Sequence, residues 1–147
     1  MDVAVISCGS KKQRDTGKLK AKDLYTGLWF KWSRRFAESN YPNWCILSAK
    51  YHVVFPDDEL EYYNLYLGNL KKEEKEEWNR EVLKELLTKF PAGTHFDFYT
   101  GVEYYQGLTF LMDENHIDYT IHLEGLGLGY KLQWFKEHTK VKSKKLF

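Results

Sequence analysis

Cysteine is scarce in this chain. Only Cys8 and Cys45 occur among 147 residues, both beside apolar segments, which excludes a disulfide framework as the basis of the fold. Two distant cysteines and five scattered histidines make no ligand spacing of the zinc-site kind. No metal and no cofactor is expected. Long apolar runs are missing too, so no segment reaches transmembrane length. Asp2 and the lysines that follow the first apolar run argue against a secretory signal. A cytoplasmic protein with no membrane partner is expected. The net charge is only +1, which by itself says nothing about nucleic acid. Internal repeats are absent, and the one low-complexity stretch is a lysine-rich tail.

What is present is a composition for one packed domain. Hydrophobic residues make up 43% and aromatic residues 17% of a chain long enough to bury a real core. The expected organisation is a single α/β domain over 1–138 and a basic tail over 139–147. Charge is unevenly spread. Lys11, Lys12, Arg14, Lys18, Lys20, Lys22, Lys31, Arg34 and Arg35 make the first quarter basic, and Lys136, Lys140, Lys142, Lys144 and Lys145 do the same for the end. Acid gathers in the middle, at Asp57–Glu59, Glu61 and the Glu73–Glu81 run. Basic ends could present one positive face to a polyanion, or be a solvated surface balanced elsewhere.

Four short apolar runs read as strands: Val3–Ser7, Cys45–Ser48, Phe96–Tyr99 and Tyr119–Ile121. Helical spacing lies between them. Leu24, Leu28, Trp32 and Phe36 mark the first helix. Trp78, Val82, Leu83, Leu86, Leu87 and Phe90 mark the second, stopped by Pro91 and Gly93. A third covers Tyr104 to about Glu114, and a last one begins near Gly127 with Leu128, Leu132 and Phe135 on one face. Alternating strands and helices predict three layers: a mainly parallel sheet of four strands or slightly more, with helices on both faces. The long aromatic segment from Ala49 to Asn69 interrupts that rhythm. Its tyrosines suit a wall or lid over a polar ligand, or cover for the core.

In open α/β sheets, ligands bind in the loops at the carboxyl ends of the strands. Here those loops read Ser7-Cys8-Gly9-Ser10-Lys11-Lys12, Ser48-Ala49-Lys50-Tyr51-His52, Thr100-Gly101-Val102-Glu103-Tyr104 and His122-Leu123-Glu124-Gly125. Each combines small residues with groups able to donate, accept or titrate, and a parallel sheet would bring all four to one edge. Small residues at Ser7, Gly9 and Ser10 let backbone amides approach an anion, Lys11, Lys12 and Lys50 supply charge, and Gly101 is a further candidate binding residue. The alternative is a tight turn with solvated lysines. Tyr51, Tyr62, Tyr63 and Tyr104 offer rings on which a base or sugar could stack. Glu103 and Glu124 are the candidate catalytic carboxylates, although Glu124 could instead cap the final helix. His52 and His122 could move protons or serve as structural hydrogen-bonding residues.

The runs Ser7–Lys12, Ala21-Lys22-Asp23-Leu24-Tyr25-Thr26-Gly27 and Ile46-Leu47-Ser48-Ala49-Lys50-Tyr51, with Pro56, resemble small domains related to the YaaA peroxide-stress family. The ending Leu123–Gly129 with Gln133-Trp134 is similar as well, so the resemblance spans nearly the whole chain. The chain departs from the pattern at His52, where such domains often carry glycine, which predicts an altered turn. It also shows no helix-hairpin-helix element of the kind YaaA carries. The resemblance implies DNA binding and a link to the glycosylase-like domain of archaeal transglycosylases acting on tRNA guanine. It therefore implies a nucleic-acid or nucleotide partner, with cleavage or exchange at the N-glycosidic bond of a modified base as the sharpest expectation. A non-catalytic module that binds or sequesters a nucleotide would use the same edge. A cysteine phosphatase is a further alternative, because Cys8 and Arg14 have the spacing of a phosphate loop. The expected Asp-Pro acid segment is lacking, and Cys8 at a buried strand end reads as a packing residue. Oligomeric state leaves no trace in the sequence.

Overall fold

The computed structural model describes residues 1–9, 11–14 and 17–139; Ser10 and the basic tail from 140 onward lie outside the described residues. Its centre is a five-stranded sheet in the order β4-β3-β1-β6-β7. The strands are β1 (Asp2–Ser7), β3 (Trp44–Ser48), β4 (His52–Val54), β6 (His95–Tyr99) and β7 (Tyr119–Ile121). Pairing is parallel throughout except for β4, which runs antiparallel to β3. A two-stranded ribbon, β2 (Leu19–Lys20) with β5 (Glu59–Leu60), lies apart from it. The fold is therefore α/β, with a mostly parallel sheet and flanking helices.

The central strand forms where it does because Val3-Ala4-Val5-Ile6 are all fully buried, as a parallel strand covered on both faces must be. Alternation along β6 separates the two layers. Phe96 meets Phe90 at the end of α3 (Lys72–Lys89), with ring centroids 5.7 Å apart. Tyr99 instead meets Phe36 of α2 (Leu28–Asn40) at 4.8 Å and Trp134 of α5 (Leu128–His138) at 6.1 Å. Helix α4 (Val102–Glu114) packs beside α3. Among the described residues no helix is long and apolar enough to cross a membrane.

Three details depart from the periodicity reading. The first helix is broken: α1 (Ala21–Leu24) ends where Tyr25 bridges to Lys12, and α2 starts only at Leu28. Its buried stripe is Phe30, Ser33, Phe36 and Ala37, which leaves Leu28 54% exposed. Leu128, also placed on a core face by its spacing, is 63% exposed because α5 begins there, beyond the sheet. Leu87 is exposed as well. His52 adopts φ +64°, the left-handed conformation that glycine favours, and its imidazole lies 3.3 Å from the Glu85 carboxylate. Glu85 also accepts the Val53 amide at 3.1 Å. One α3 carboxylate thus holds the start of β4.

Candidate functional site

From β1 the chain moves through α2 to β3 on one side, and later places β6 on the other side of β1. That reversal leaves a crevice at the carboxyl ends of β1 and β6, the usual ligand position in such sheets. A cleft of about 530 Å³ occupies it, within the range of small-molecule sites. Its walls are the ends of β1 (Ser7, Gly9, Lys11), the first turn of α2 (Gly27–Phe30), the first turn of α4 (Gly101, Glu103, Tyr104), the start of α5 (Leu128, Lys131, Leu132) and Tyr66.

Three helices thus begin at one place, and each begins in the same way. The N-cap residues are Gly27, Gly101 and Gly127, and among the described residues none of the three helices has a side-chain cap. Helix N-termini leave amide donors without intrahelical partners. A serine or aspartate cap would satisfy them, whereas glycine leaves them open to a ligand. Gly9, at φ +74°, turns the chain out of β1 without blocking the cleft. Lys11 is held at the rim because its carbonyl accepts the Thr26 amide at 2.9 Å, while the Gln13 amide donates to Leu24 at 2.8 Å.

On the α2 wall, the Trp29 indole donates to the Ser7 hydroxyl at 3.1 Å, and the Lys131 ammonium lies 5.8 Å from the Trp29 ring centre. On the α4 wall, the Glu103 carboxylate folds back over Gly101 so closely that a β-carbon there would lie 2.5 Å from Oε1. Glycine at 101 makes room for that carboxylate. Lys75 lies beside it: burial lowers the Lys75 pKa, and the Glu103 charge opposes that shift. Tyr105 is pushed up by burial, then by Glu124, then by Glu103, which places its hydroxyl in the field of both carboxylates.

Beneath the cleft floor runs a buried chain of hydroxyls and one thiol. Tyr63 Oη shares hydrogen bonds with Tyr25 Oη at 2.8 Å and Ser48 Oγ at 2.7 Å. It also lies 3.7 Å from Cys8 Sγ, which is 3.5 Å from Tyr104 Oη. Burial, reinforced by Cys8, raises the pKa of Tyr25, Tyr63 and Tyr104, so all three phenols stay protonated at neutral pH. Lys12 packs its ammonium 4.4 Å over the Tyr63 ring, and burial lowers its pKa.

Among the residues singled out from sequence, Ser7, Gly9, Lys11, Gly101, Glu103 and Tyr104 line the cleft. Ser10 lies outside the described residues. Lys12, Ser48, Lys50 and Tyr51, from the first two of the four loops, do not line it. The reason is β4: the chain turns back antiparallel straight after Ser48, which carries Lys50 and Tyr51 to the far side of Tyr63. Ser48 spends its hydroxyl on Tyr63 and on the Lys50 and Tyr51 amides, at 3.3 and 3.0 Å. His52 is committed to Glu85. Tyr62 lies under the Arg14 guanidinium, 5.1 Å away. Glu124 is exposed beyond Tyr105 rather than in the cleft wall. His122 joins a separate cluster: its Nε2–H donates to Asp97 Oδ1 at 2.8 Å while its ring stacks on Tyr99. Among the described residues no three histidine, cysteine, aspartate or glutamate side chains gather as a metal-ligand set.

Sequence reasoning missed Trp29, Tyr66 and Lys131. The available signal was glycine standing directly before two apolar-periodic helices, at Gly27 and Gly127, where a capping side chain is the norm.

A 60-residue stretch is 37% identical to the uncharacterized protein YfjM of Bacillus subtilis (strain 168), covering 38% of this chain and 40% of YfjM. The chain thus spans well under two thirds of that relative. Residues 3–137, from the first buried strand to the end of the helix that closes the cleft, match DUF6884, and the chain belongs to this family of unknown function.

Proposed function

We propose that the cleft takes a nucleotide, free or within a polynucleotide, and that the protein cleaves or exchanges the N-glycosidic bond of a modified base. The observation that carries this reading is the convergence of three uncapped helix N-termini with Lys11 and Lys131 around one crevice. A phosphate there meets open amides and two ammonium groups. Trp29 and Tyr66 supply ring surface for a base or sugar. The resemblance to YaaA-like domains points the same way.

Among the described residues Glu103 is the one carboxylate in the wall, and it acts on developing positive charge. As the bond from the sugar C1′ to the base nitrogen breaks, its electron pair leaves with the base. The sugar becomes oxocarbenium-like, and a nearby carboxylate stabilises that charge. Water, or an incoming base, then bonds to C1′, and the departing base takes up a proton. Glu124, outside the wall, is relegated to tuning Tyr105. Both cysteines are free thiols, in keeping with a cytoplasmic protein.

A binding module without turnover is the second reading. It is favoured by the Glu103 carboxylate lying over the N-terminus of α4, where it also complements the helix dipole. The cysteine-phosphatase reading loses support from burial: Cys8 is 1% exposed between two phenols, and Arg14 lies over Tyr62. The test is base release from modified and unmodified nucleotides and oligonucleotides. Wild type should release base, Glu103→Gln should lose at least about a hundredfold in kcat with little change in KM, and Lys11→Ala should mainly raise KM. Tight binding without release by wild type selects the binding module. Full activity in Glu103→Gln removes Glu103 from the chemistry.

A further inference from the structure

Helices α2 and α5 lie side by side and run parallel. Trp29 near the start of α2 meets Phe135 at 5.2 Å, and Asn40 at its end donates to the His138 carbonyl at 3.0 Å. The seam between them therefore starts at the cleft and runs away from it along the protein surface. Two half-buried indoles sit along this seam, each attended by cations. Lys131 lies 5.8 Å from Trp29, while Arg35 and Lys136 lie 4.9 and 5.5 Å from Trp32. The two rings are separated by about 4.5 Å of helix rise.

Granted the nucleotide reading of the cleft, we infer that the substrate is a single-stranded polynucleotide whose flanking nucleotides lie along the α2–α5 seam. Charge favours it. Arg35, Lys131 and Lys136 have no carboxylate partner among the described residues. The acids nearby are engaged: Glu38 accepts from Arg34 at 3.0 Å, and Glu137 accepts from Gln133 at 3.1 Å. At the mouth, Leu28, Leu128 and Tyr130 are widely exposed, Tyr130 to 75%. Cations interleaved with exposed rings and apolar bodies suit unpaired bases, whose π-faces are free, with phosphates between them. A duplex hides those faces and presents phosphates alone. A mononucleotide would fill the cleft and leave Trp32, Arg35 and Lys136 untouched, because none of them lines it.

The test compares binding of a labelled single strand of about twelve nucleotides, as DNA and as RNA, with the matching duplex and a nucleoside monophosphate. The single strand should bind at least about tenfold tighter than the monophosphate. The exposed double variant Arg35→Glu/Lys136→Glu should lose that gain and flatten the salt slope by about 1.4, two contacts at ~0.7 each, while monophosphate binding holds. Trp32→Ala should weaken the single strand alone, provided thermal unfolding shows it folded; the exposed charge variant carries the test otherwise. Tighter binding of DNA or of RNA identifies the source of the strand. Equal affinity for strand and monophosphate, a preference for duplex, or no effect of the double variant overturns the inference but leaves the cleft reading standing. Displacement by inorganic polyphosphate as effective as by unlabelled strand overturns it too, marking a bare polyanion patch. Failure of every nucleotide and strand to bind overturns both.

Discussion

Replacing Tyr63 by phenylalanine removes a single oxygen from beneath the floor of the cleft. That oxygen holds Tyr25 at 2.8 Å and Ser48 at 2.7 Å and touches Cys8 at 3.7 Å. Two buried hydrogen bonds vanish, each with a net contribution of ~1 kcal/mol. The ring itself still fills its space, so no cavity term is added. Tyr25 and Ser48 are left to satisfy one another, which limits the penalty from unpaired groups. Tyr63→Phe should therefore destabilise by ~2 kcal/mol, a fall in melting temperature of ~4–8 °C for a domain of this size. The double variant Tyr25→Phe/Tyr63→Phe should cost less than the two singles summed, by ~0.5 kcal/mol or more, because the shared bond is lost only once. Thermal and urea unfolding of the four proteins measure both quantities. A Tyr63→Phe midpoint equal to wild type, or strict additivity in the double variant, would refute the network.

Alkaline pH should weaken the fold. Burial pushes the Cys45 thiol from an ordinary 9.0 up to about 12, so its contribution is intact below pH 9 and lost as pH rises through that window, on the order of 4 kcal/mol in total. Urea titrations across that range should show Cys45→Val losing stability less steeply than wild type; identical slopes would contradict the assignment. At His52 the left-handed backbone predicts that His52→Gly is more stable than His52→Ala by ~1 kcal/mol, since both lose the imidazole and only glycine is at ease at φ +64°. Gly107 of α4 lies against the Asn79 amide, which a β-carbon would strike, and Asn79 Oδ1 has no hydrogen-bond partner among the described residues. Gly107→Ala should therefore destabilise, and adding Asn79→Ala should recover much of the loss in a thermal double-mutant cycle.

The strands were legible because a parallel strand buried on both faces must be an unbroken apolar run, and Val3–Ile6 and Cys45–Leu47 are such runs. Half of the cleft was legible for a related reason: Ser7, Gly9, Lys11, Gly101 and Glu103 follow directly from strand ends. The other half comes from helix starts, where periodicity misleads. Leu28 and Leu128 continue an apolar spacing, yet they overhang the sheet and line an open cleft. Trp29 reaches the cleft from the turn just after Gly27 and Tyr66 from the aromatic segment before α3, and spacing sets neither apart from its neighbours. The floor network was beyond reach, because Cys8 meets Tyr104 across 96 residues and Tyr63 across 55. No local spacing encodes those meetings. Ser48 and Tyr51 were expected to face a ligand, but a three-residue strand hidden in an apparent loop, His52–Val54, turned the chain away.

Amide chemical-shift mapping with a deoxynucleoside monophosphate tests the nucleotide cleft most directly. The account predicts saturable shifts at the amides of Leu28–Phe30, Val102–Tyr104 and the first turn of α5, together with the Trp29 indole N–H, and none around His95 and Asp118 at the opposite end of the sheet. Shifts confined to any other surface, or no shifts at millimolar nucleotide, would contradict it.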